Sequence, residues 1–413
     1  MPSAVIWWQR FRPHDNLISL YLKECDCRGR GKCGKLYGMK TSTRIILAAG
    51  IVSAVAFLST GCCSSCGDGA CAPKAASCGC SANTSACTCK TCGCADCSCP
   101  WGNWALYLPY DFMNAGHLIL AKGADGKPCA KLLWRWGSPT DESNVSVDGT
   151  KFSVQRGFSK PKGKENDKSA WRALRVTGVV KGKTAECEVV NVDGNGKAVD
   201  KPLAFKAKRN PPVGPAPDLA KVKFGKPVNL LAGSMADFEL MGGDHSGKIN
   251  GWTLKDGVLS NRITRDKDGK SVHKNGNLRT KRADFFDFNL KYEVRVLPGC
   301  NSGVYLRGIY EIQVLDSFGQ EVNCHNMAAF YGRITPSVAA EKPAGEWQTV
   351  DVTLVDRHVT VVLNGKKIID NKPVEGVTGG AMTADEFVPG PLYLQGDHSD
   401  ADFRNMVLTP VVK

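Results

Sequence analysis

The chain has 413 residues, 42% of them hydrophobic, 23% charged and 8% aromatic. That length suits two ordinary domains, and that composition excludes general disorder. The formal net charge of +14 is dispersed: residues 1–61 hold 9 basic and 3 acidic side chains, and residues 101–413 hold 43 against 35. No nucleic-acid motif or aromatic-interleaved basic stripe accompanies it, so the charge speaks for solubility and nucleic acid is not an expected partner. Only one apolar run, Ile45 to Leu58, approaches membrane length, which excludes a polytopic membrane protein.

Residues 1–38 have no place ahead of an export signal and read as a mis-assigned upstream extension, with the start at Met39. From there a short basic stretch, Met-Lys-Thr-Ser-Thr-Arg, precedes the apolar run and then Ser59-Thr60-Gly61-Cys62. Fourteen residues at 1.5 Å rise span about 21 Å, short of the roughly 30 Å hydrocarbon core, so this is a signal and not a transmembrane helix. Small residues before Cys62 resemble the lipobox of bacterial lipoproteins, although Leu58 sits one place early. The expectation is a lipoprotein signal peptide over 39–61 and lipidation of Cys62. The membrane is then a partner through a lipid anchor, at the bacterial cell envelope on its periplasmic or outer surface. A mature chain starting at another, unlipidated residue would leave a plain secretory signal.

Residues 62–100 form a low-complexity tether holding 12 of the 19 cysteines. With almost no large apolar side chain it cannot offset its ordering entropy. Spacings such as Cys87-x-Cys89-x-x-Cys92-x-Cys94 suit a soft metal and look somewhat like metallothionein. Oxidation to disulfides after export is the competing fate. Only Cys129, Cys187, Cys300 and Cys324 follow, so the globular part rests on no disulfide framework.

From residue 101 to 208 short alternating runs are separated by turns such as Ala124-Asp125-Gly126 and Asp193-Gly194-Asn195-Gly196. They predict six to eight antiparallel strands in a small β barrel or sandwich. The predicted runs are Ala105–Leu108, Leu118–Ala121, Lys131–Trp136, Lys151–Gln155, Ala173–Val180 and Ala185–Asn191. Trp134 and Trp136, two apart on one strand, fit either core packing or stacking on a sugar ring. Residues 209–227 hold five prolines and read as an extended, semi-rigid linker.

Residues 228–413 are again β-rich, with tight turns at Asp256-Gly257 and Asn364-Gly365. The stretch Asp316 to Glu346 reads as a loop long enough to cover a site. Strand alternation sorts the chemistry. Val304 and Leu306 face one way and Tyr305 and Arg307 the other; Ile312 and Val314 oppose Glu311 and Gln313; Leu392 and Leu394 oppose Tyr393 and Gln395. Planar donors and acceptors of this kind suit sugar hydroxyls better than a merely solvated face requires.

These residues carry a resemblance. Asn301-Ser-Gly-Val-Tyr-Leu-Arg-Gly308, Tyr310-Glu-Ile-Gln-Val-Leu-Asp316, Lys342-Pro-Ala-Gly-Glu-Trp347, Val362-Leu-Asn-Gly365 and Gly390-Pro-Leu-Tyr-Leu-Gln-Gly-Asp-His398 with Phe403-Arg-Asn405 together resemble the 3-keto-disaccharide hydrolase domain family. The resemblance implies an all-β chain: a concanavalin A-like β-sandwich (jelly roll) behind a small antiparallel β domain. It also implies an exported enzyme acting on glycosides oxidised at C3, with a 3-keto-glycoside as substrate. The basic loop Asp266–Asn275 is a departure. Retaining laminarinase-type glucanases share the fold but carry Glu-x-Asp-x-Glu on one strand, where this chain has Glu311, Gln313 and Leu315. Leu315 cannot serve as the second carboxylate, so ordinary double displacement is disfavoured.

A C3 ketone acidifies the C2 hydrogen, so one base suffices to expel the C1 substituent, and water addition completes hydrolysis. The candidate catalytic residues are Glu311, His398 and Arg307. Tyr305, Gln313, Tyr393, Gln395 and Lys342 are the candidate substrate-binding residues. No cofactor is specified; a divalent metal ion, if used, would recruit Glu311 and His398, though an exposed loop position is the other reading of His398. His117, His245, His273, His325 and His358 sit in turns or strands and read as surface or core residues. The rival class is a non-catalytic carbohydrate-binding module with the same fold and the same polar face.

Overall fold

The computed structural model describes residues 98–241, 250–269 and 275–412. The signal peptide, Cys62, nearly all of the Cys-rich tether, His245 and His273 lie outside the described residues, as does part of the Asp266–Asn275 loop. The described residues belong to one compact unit. Among them no helix is long and apolar enough to cross a membrane.

The first sheet is antiparallel and has nine strands: β1 (Gly102–Tyr107), β2 (Ala115–Lys122), β3 (Pro128–Trp134), β4 (Thr140–Glu142), β5 (Asn144–Asp148), β6 (Lys151–Gln155), β7 (Ala173–Lys181), β8 (Thr184–Val192) and β9 (Leu203–Asn210). Their order, β4-β3-β2-β1-β9-β8-β7-β6-β5, curls until β3 comes against β5, which nearly closes a barrel. Trp104, Leu106, Leu118, Leu120, Leu132, Val154 and Val176 fill the interior. The six predicted runs are strands here; the short β4 and β5 and the Lys-rich β9 add three. Alternating Lys206 and Lys208 with buried Phe205 and Ala207 is a one-faced strand that its charge disguised.

Arg135 interrupts the predicted Lys131–Trp136 strand with a left-handed backbone, φ 63°. Trp134 therefore packs inside the barrel, edge-on to Tyr110 and Phe205, whereas Trp136 is 38% exposed with the Arg135 guanidinium over its ring. The two indoles share no face.

The second body is a sandwich. Its larger sheet joins β10 (Val228–Asn229), β12 (Trp252–Lys255), β13 (Val258–Asn261), β15 (Phe288–Val296), β18 (Trp347–Val355), β19 (His358–Leu363), β20 (Lys366–Pro373) and β22 (Ala401–Pro410). The smaller has five strands, β11 (Phe238–Leu240), β14 (Leu278–Thr280), β16 (Asn301–Leu306), β17 (Tyr310–Leu315) and β21 (Tyr393–Leu394), in the order β11-β14-β21-β16-β17. Phe288, Leu290, Tyr292 and Val294 of one sheet meet Val304, Leu306, Ile312 and Val314 of the other in the core. Apolar side chains recur at every second residue because the strand period is two.

The barrel is not a separate bead. Ala105, His117 and Leu133 are aligned across β1, β2 and β3, pointing outward from the barrel, and all three are buried; Ala105 and Leu133 join the sandwich core. Arg209 and Asn210 of the expected linker belong to β9; the residues that follow hold one 3₁₀ turn, Leu219–Lys221, and are tied to the sandwich. Pro211 O accepts from Arg357 Nη1 at 3.0 Å, and Pro217 O accepts from Asn371 Nδ2 at 2.9 Å. Cys187, Cys300 and Cys324 are free thiols, the first two buried, and Cys129 is buried in the barrel.

Candidate functional site

The β16–β17 hairpin and β21 assemble the polar face by register. Tyr305 pairs with Glu311 on one side and Tyr393 on the other, and Gly303 pairs with Gln313. Because Val304, Ile312, Val314 and Leu394 are committed to the sandwich core, these residues must project from the opposite face. Sequence alternation therefore placed Tyr305, Glu311, Gln313 and Tyr393 together correctly. It did not foresee that the face is covered: Tyr305 and Tyr393 are each 1% exposed, Glu311 and Gln313 each 3%. Met113 of the barrel, Met241 and Met382 pack on the two tyrosine rings, which stack 3.9 Å apart. Gln395, half-buried at the next position of the face, anchors through its backbone to Gly303 O and Ser302 Oγ. The Gln313 side-chain oxygen accepts from Val314 N.

Glu311 is the chemically distinctive group. Burial pushes its carboxyl up to about 8; a hydrogen bond from Tyr305 pulls it back in part, and the charge of Asp397 adds to the rise. Tyr305 Oη lies 2.8 Å from Glu311 Oε2 and 2.8 Å from Gly379 O. A phenol has one proton and the carbonyl can only accept. When Tyr305 donates to Gly379, the bond to Glu311 is completed by a proton on the carboxyl; when Glu311 ionises, Tyr305 turns its proton towards it. The niche thus holds both states of the acid. Room for it comes from Gly303, where a Cβ would collide with Glu311 Oε1.

Two expected site residues lie elsewhere. Arg307 was placed beside Tyr305 by continuing the alternation, but β16 ends at Leu306 and Arg307 turns at φ 54°. Its guanidinium lies over the rings of Phe286 and Tyr310 and donates to Glu386 O at 2.9 Å. Tyr310 is on the core side of β17, so Arg307 serves the side opposite Glu311. Lys342 lies in the loop that leads into β18 of the larger sheet: its Nζ donates to Trp347 O at 3.0 Å, and its charge acts on Glu293. Glu293 alternates with core residues on the outer face of β15, so Lys342 is not a ligand of this site.

His398 is exposed, and its Nδ1 lies 2.6 Å from Asp397 Oδ1. Asp397, not His398, is the group whose charge reaches Glu311. Among the described residues no three His, Cys, Asp or Glu side chains converge as cation ligands, and Glu311 and His398 gain no third donor. The described residues, as placed, do not build a metal centre.

The long loop does flank the site. Its Ala328–Tyr331 segment runs along the open edge of β17: Gln313 N donates to Ala329 O, and Tyr331 N donates to Glu311 O at 3.0 Å. Phe330 bridges Ile312 and enters the core, so Tyr331 projects to the Glu311 side. Tyr331, Asp397 and Gly303 were missed by sequence reasoning. Asp397 and Gly303 stood inside the quoted motifs; Tyr331 stood in a loop that shows no period. A hollow of about 850 Å³ also opens on the barrel, around Phe152, Gly178, Cys187 and Phe205. Its lining includes the buried Cys187 thiol, pushed up to about 12 and so neutral, and Glu186, whose carboxyl is lowered by its hydrogen bond from Lys181.

Residues 232–409 match the 3-keto-alpha-glucoside-1,2-lyase-like domain family. No curated protein matches the chain. Among solved structures, a candidate glycosyl hydrolase of Parabacteroides distasonis is 25% identical, aligning over 47% of this chain and 92% of its own, with a TM-score of 0.34. A beta-1,3-glucanase of Mycobacterium marinum is 10% identical over 46% of this chain and 99% of its own, with a TM-score of 0.30.

Proposed function

We propose that the C-terminal domain, of the 3-keto-alpha-glucoside-1,2-lyase-like family over residues 232–409, cleaves 3-keto-glycosides by proton abstraction at C2. The family makes carbohydrate processing the coarse function. The observation that favours this finer reading is Glu311, a single buried carboxyl raised to about 8. A carboxylate so destabilised is a stronger base than an exposed one, yet a usable fraction of it is ionised near neutral pH.

In this mechanism ionised Glu311 takes the C2 proton, and the electron pair passes through the C2–C3 bond to the ketone oxygen. The enolate then re-forms the ketone as the C1–O bond to the leaving group breaks. Tyr305 turns its hydroxyl to hold the carboxylate before abstraction and returns it to Gly379 O afterwards. His398, oriented by Asp397, stands exposed at the outer end of β21 and is suited to protonate the departing oxygen. Water adding across the resulting C1–C2 double bond gives net hydrolysis, with the C2 proton returned from Glu311. Leu315 in the third place of the strand motif leaves no second carboxylate there for double displacement. The binding-module reading shares the face but leaves the cost of burying Glu311 without a purpose.

The test combines pH, isotope and mutation. On a 3-keto-glucoside, kcat/KM of the full chain rises about tenfold per pH unit and levels off near 8, where Glu311 is half ionised. Glu311→Gln lowers the rate by about 10²–10⁴, and product formed in deuterated water carries deuterium at C2. Turnover at full rate by Glu311→Gln excludes this mechanism. Sugar binding without turnover by the unaltered chain returns the binding module.

A further inference from the structure

The barrel meets the Glu311 site at the turn that follows β3, residues 135–138, and this turn is wedged between two segments that flank Glu311. On one side lies Gly379, whose carbonyl oxygen is 2.8 Å from Tyr305 Oη, the hydroxyl that is also 2.8 Å from Glu311 Oε2. A Cβ on Gly379 would collide with Gly137 O, and Gly380 N donates to Arg135 O at 2.8 Å. On the other side Ser138 Oγ lies 2.6 Å from His325 Nε2, and a Cβ on Gly332 would strike that hydroxyl. Gly332 follows Tyr331, whose N donates to Glu311 O at 3.0 Å. Backbones approach this closely only at glycine. The turn thereby carries Trp136, an exposed indole, at the rim of the Glu311 niche. The indole is held in a stack. The Arg135 guanidinium lies 4.7 Å from the centre of the Trp136 ring and 4.2 Å from that of Tyr110, and its Nη2 donates to Phe112 O at 2.9 Å. Phe112 in turn packs on the cluster of Met113, Met241, Tyr305 and Tyr393. A single exposed apolar side chain needs no purpose. One that is fixed by an arginine stack, on a turn pinned beside a buried acid, is built to meet something.

We propose that Trp136 is the stacking platform for the second ring of a 3-keto-disaccharide, the sugar that leaves from C1, and that it sets the leaving-group preference of the Glu311 site. This rests on Glu311 being the base. Glu311 is buried, so the ring whose C2 it deprotonates takes the inner position, and the C1 substituent extends outward to the rim. A pyranose offers a face of C–H groups to an aromatic ring while its hydroxyls spread to the edges, where water remains. The negative face of an indole suits those hydrogens. A planar guanidinium beside the ring fixes its tilt, so less freedom is lost when a sugar settles on it. Trp136 lies outside the 232–409 family match. The family domain then supplies the acid, and the barrel selects what departs.

The test compares two substrates with the same keto ring and different leaving groups, 3-keto-maltose and methyl 3-keto-α-glucoside, on the full chain. Trp136→Ala should lower kcat/KM for 3-keto-maltose about tenfold more than for the methyl glycoside, chiefly through KM. Comparing the two losses cancels the intrinsic difference between the leaving groups. Trp136→Phe keeps a ring and should retain most of the preference. An equal loss on both substrates, as a merely structural role of the turn would give, or no loss on either, overturns the platform while the Glu311 reading stands. A second measurement needs no turnover. In a Glu311→Gln background, calorimetry should show 3-keto-maltose bound about tenfold more weakly once Trp136→Ala is added, and equal affinities overturn the proposal. Full activity in Glu311→Gln overturns the reading of Glu311 as the base instead, and the two-substrate comparison then decides the platform by itself.

Discussion

Glu311 links chemistry to stability at the scale of one residue. Its folded value of about 8 exceeds the ordinary 4.5, so the fold prefers the protonated acid. The contribution is fully present below about 4.5 and is lost as pH rises through about 8. At 1.36 kcal/mol per pH unit the span corresponds to roughly 5 kcal/mol as an upper bound. Glu311→Gln is neutral at every pH and escapes that loss. Its melting temperature should match the parent's near pH 4 and exceed it above pH 8. Equal melting temperatures at pH 9 would show that Glu311 is not desolvated as described. Identity and face of this residue were legible from strand alternation. Its basicity was not, because the chain that closes around it comes from distant stretches: Thr378 on its backbone N, Gly379 on the Tyr305 hydroxyl and Tyr331 on its backbone O.

Alternation succeeds along an element and fails where the element ends. Gly303 to Leu306 and Tyr310 to Leu315 obey the period of two, and their faces were read correctly. Arg307 fails because three residues, Arg307 to Ile309, join the strands, and the first takes a left-handed backbone that an arginine enters only under tertiary compulsion. That compulsion is visible in the two aromatic rings and the Glu386 carbonyl that receive the guanidinium. Arg307→Lys replaces a planar fork with a point charge. It should cost about 1–3 kcal/mol of stability through the lost stacking and hydrogen bond, seen as a lower melting temperature. KM for the keto-sugar should stay within twofold, since the guanidinium is on the side away from Glu311. A raised KM at unchanged stability would restore Arg307 to the substrate side. Trp136 repeats the lesson: two indoles two residues apart share a face only if the strand persists between them, and Arg135 ends it.

At the scale of the molecule the sequence showed two β bodies and a proline-rich connection, but its prolines spoke for separation where the structure has contact. The outward Ala105, His117 and Leu133 were the available signal, since an outer barrel face in water should not alternate towards apolar and small side chains. His117 is held neutral there by burial and by the charges of Arg333 and Arg357. Opposite lies Glu386, with no exposed surface, receiving Tyr310 Oη at 2.7 Å, Gly376 N at 3.0 Å and Asn210 Nδ2 at 2.5 Å, with Arg357 Nη2 at 3.5 Å. Asn210 ends the last barrel strand, so this carboxylate ties barrel, linker and sandwich at one point. Removing one member of such a buried network leaves the others charged and dry, a loss of about 3–5 kcal/mol. The chain from residue 98 onward should accordingly unfold in a single transition by circular dichroism and by tryptophan emission, the barrel holding Trp101, Trp104 and Trp134 and the sandwich Trp252 and Trp347 as reporters. Glu386→Ala should lower that one transition for both signals together. Residues 211–227 should resist mild proteolysis, because Pro211 and Pro217 are hydrogen-bonded to the sandwich. Two transitions, with Glu386→Ala moving only the later one, would mean that the bodies fold independently and that the contact between them adds nothing to either.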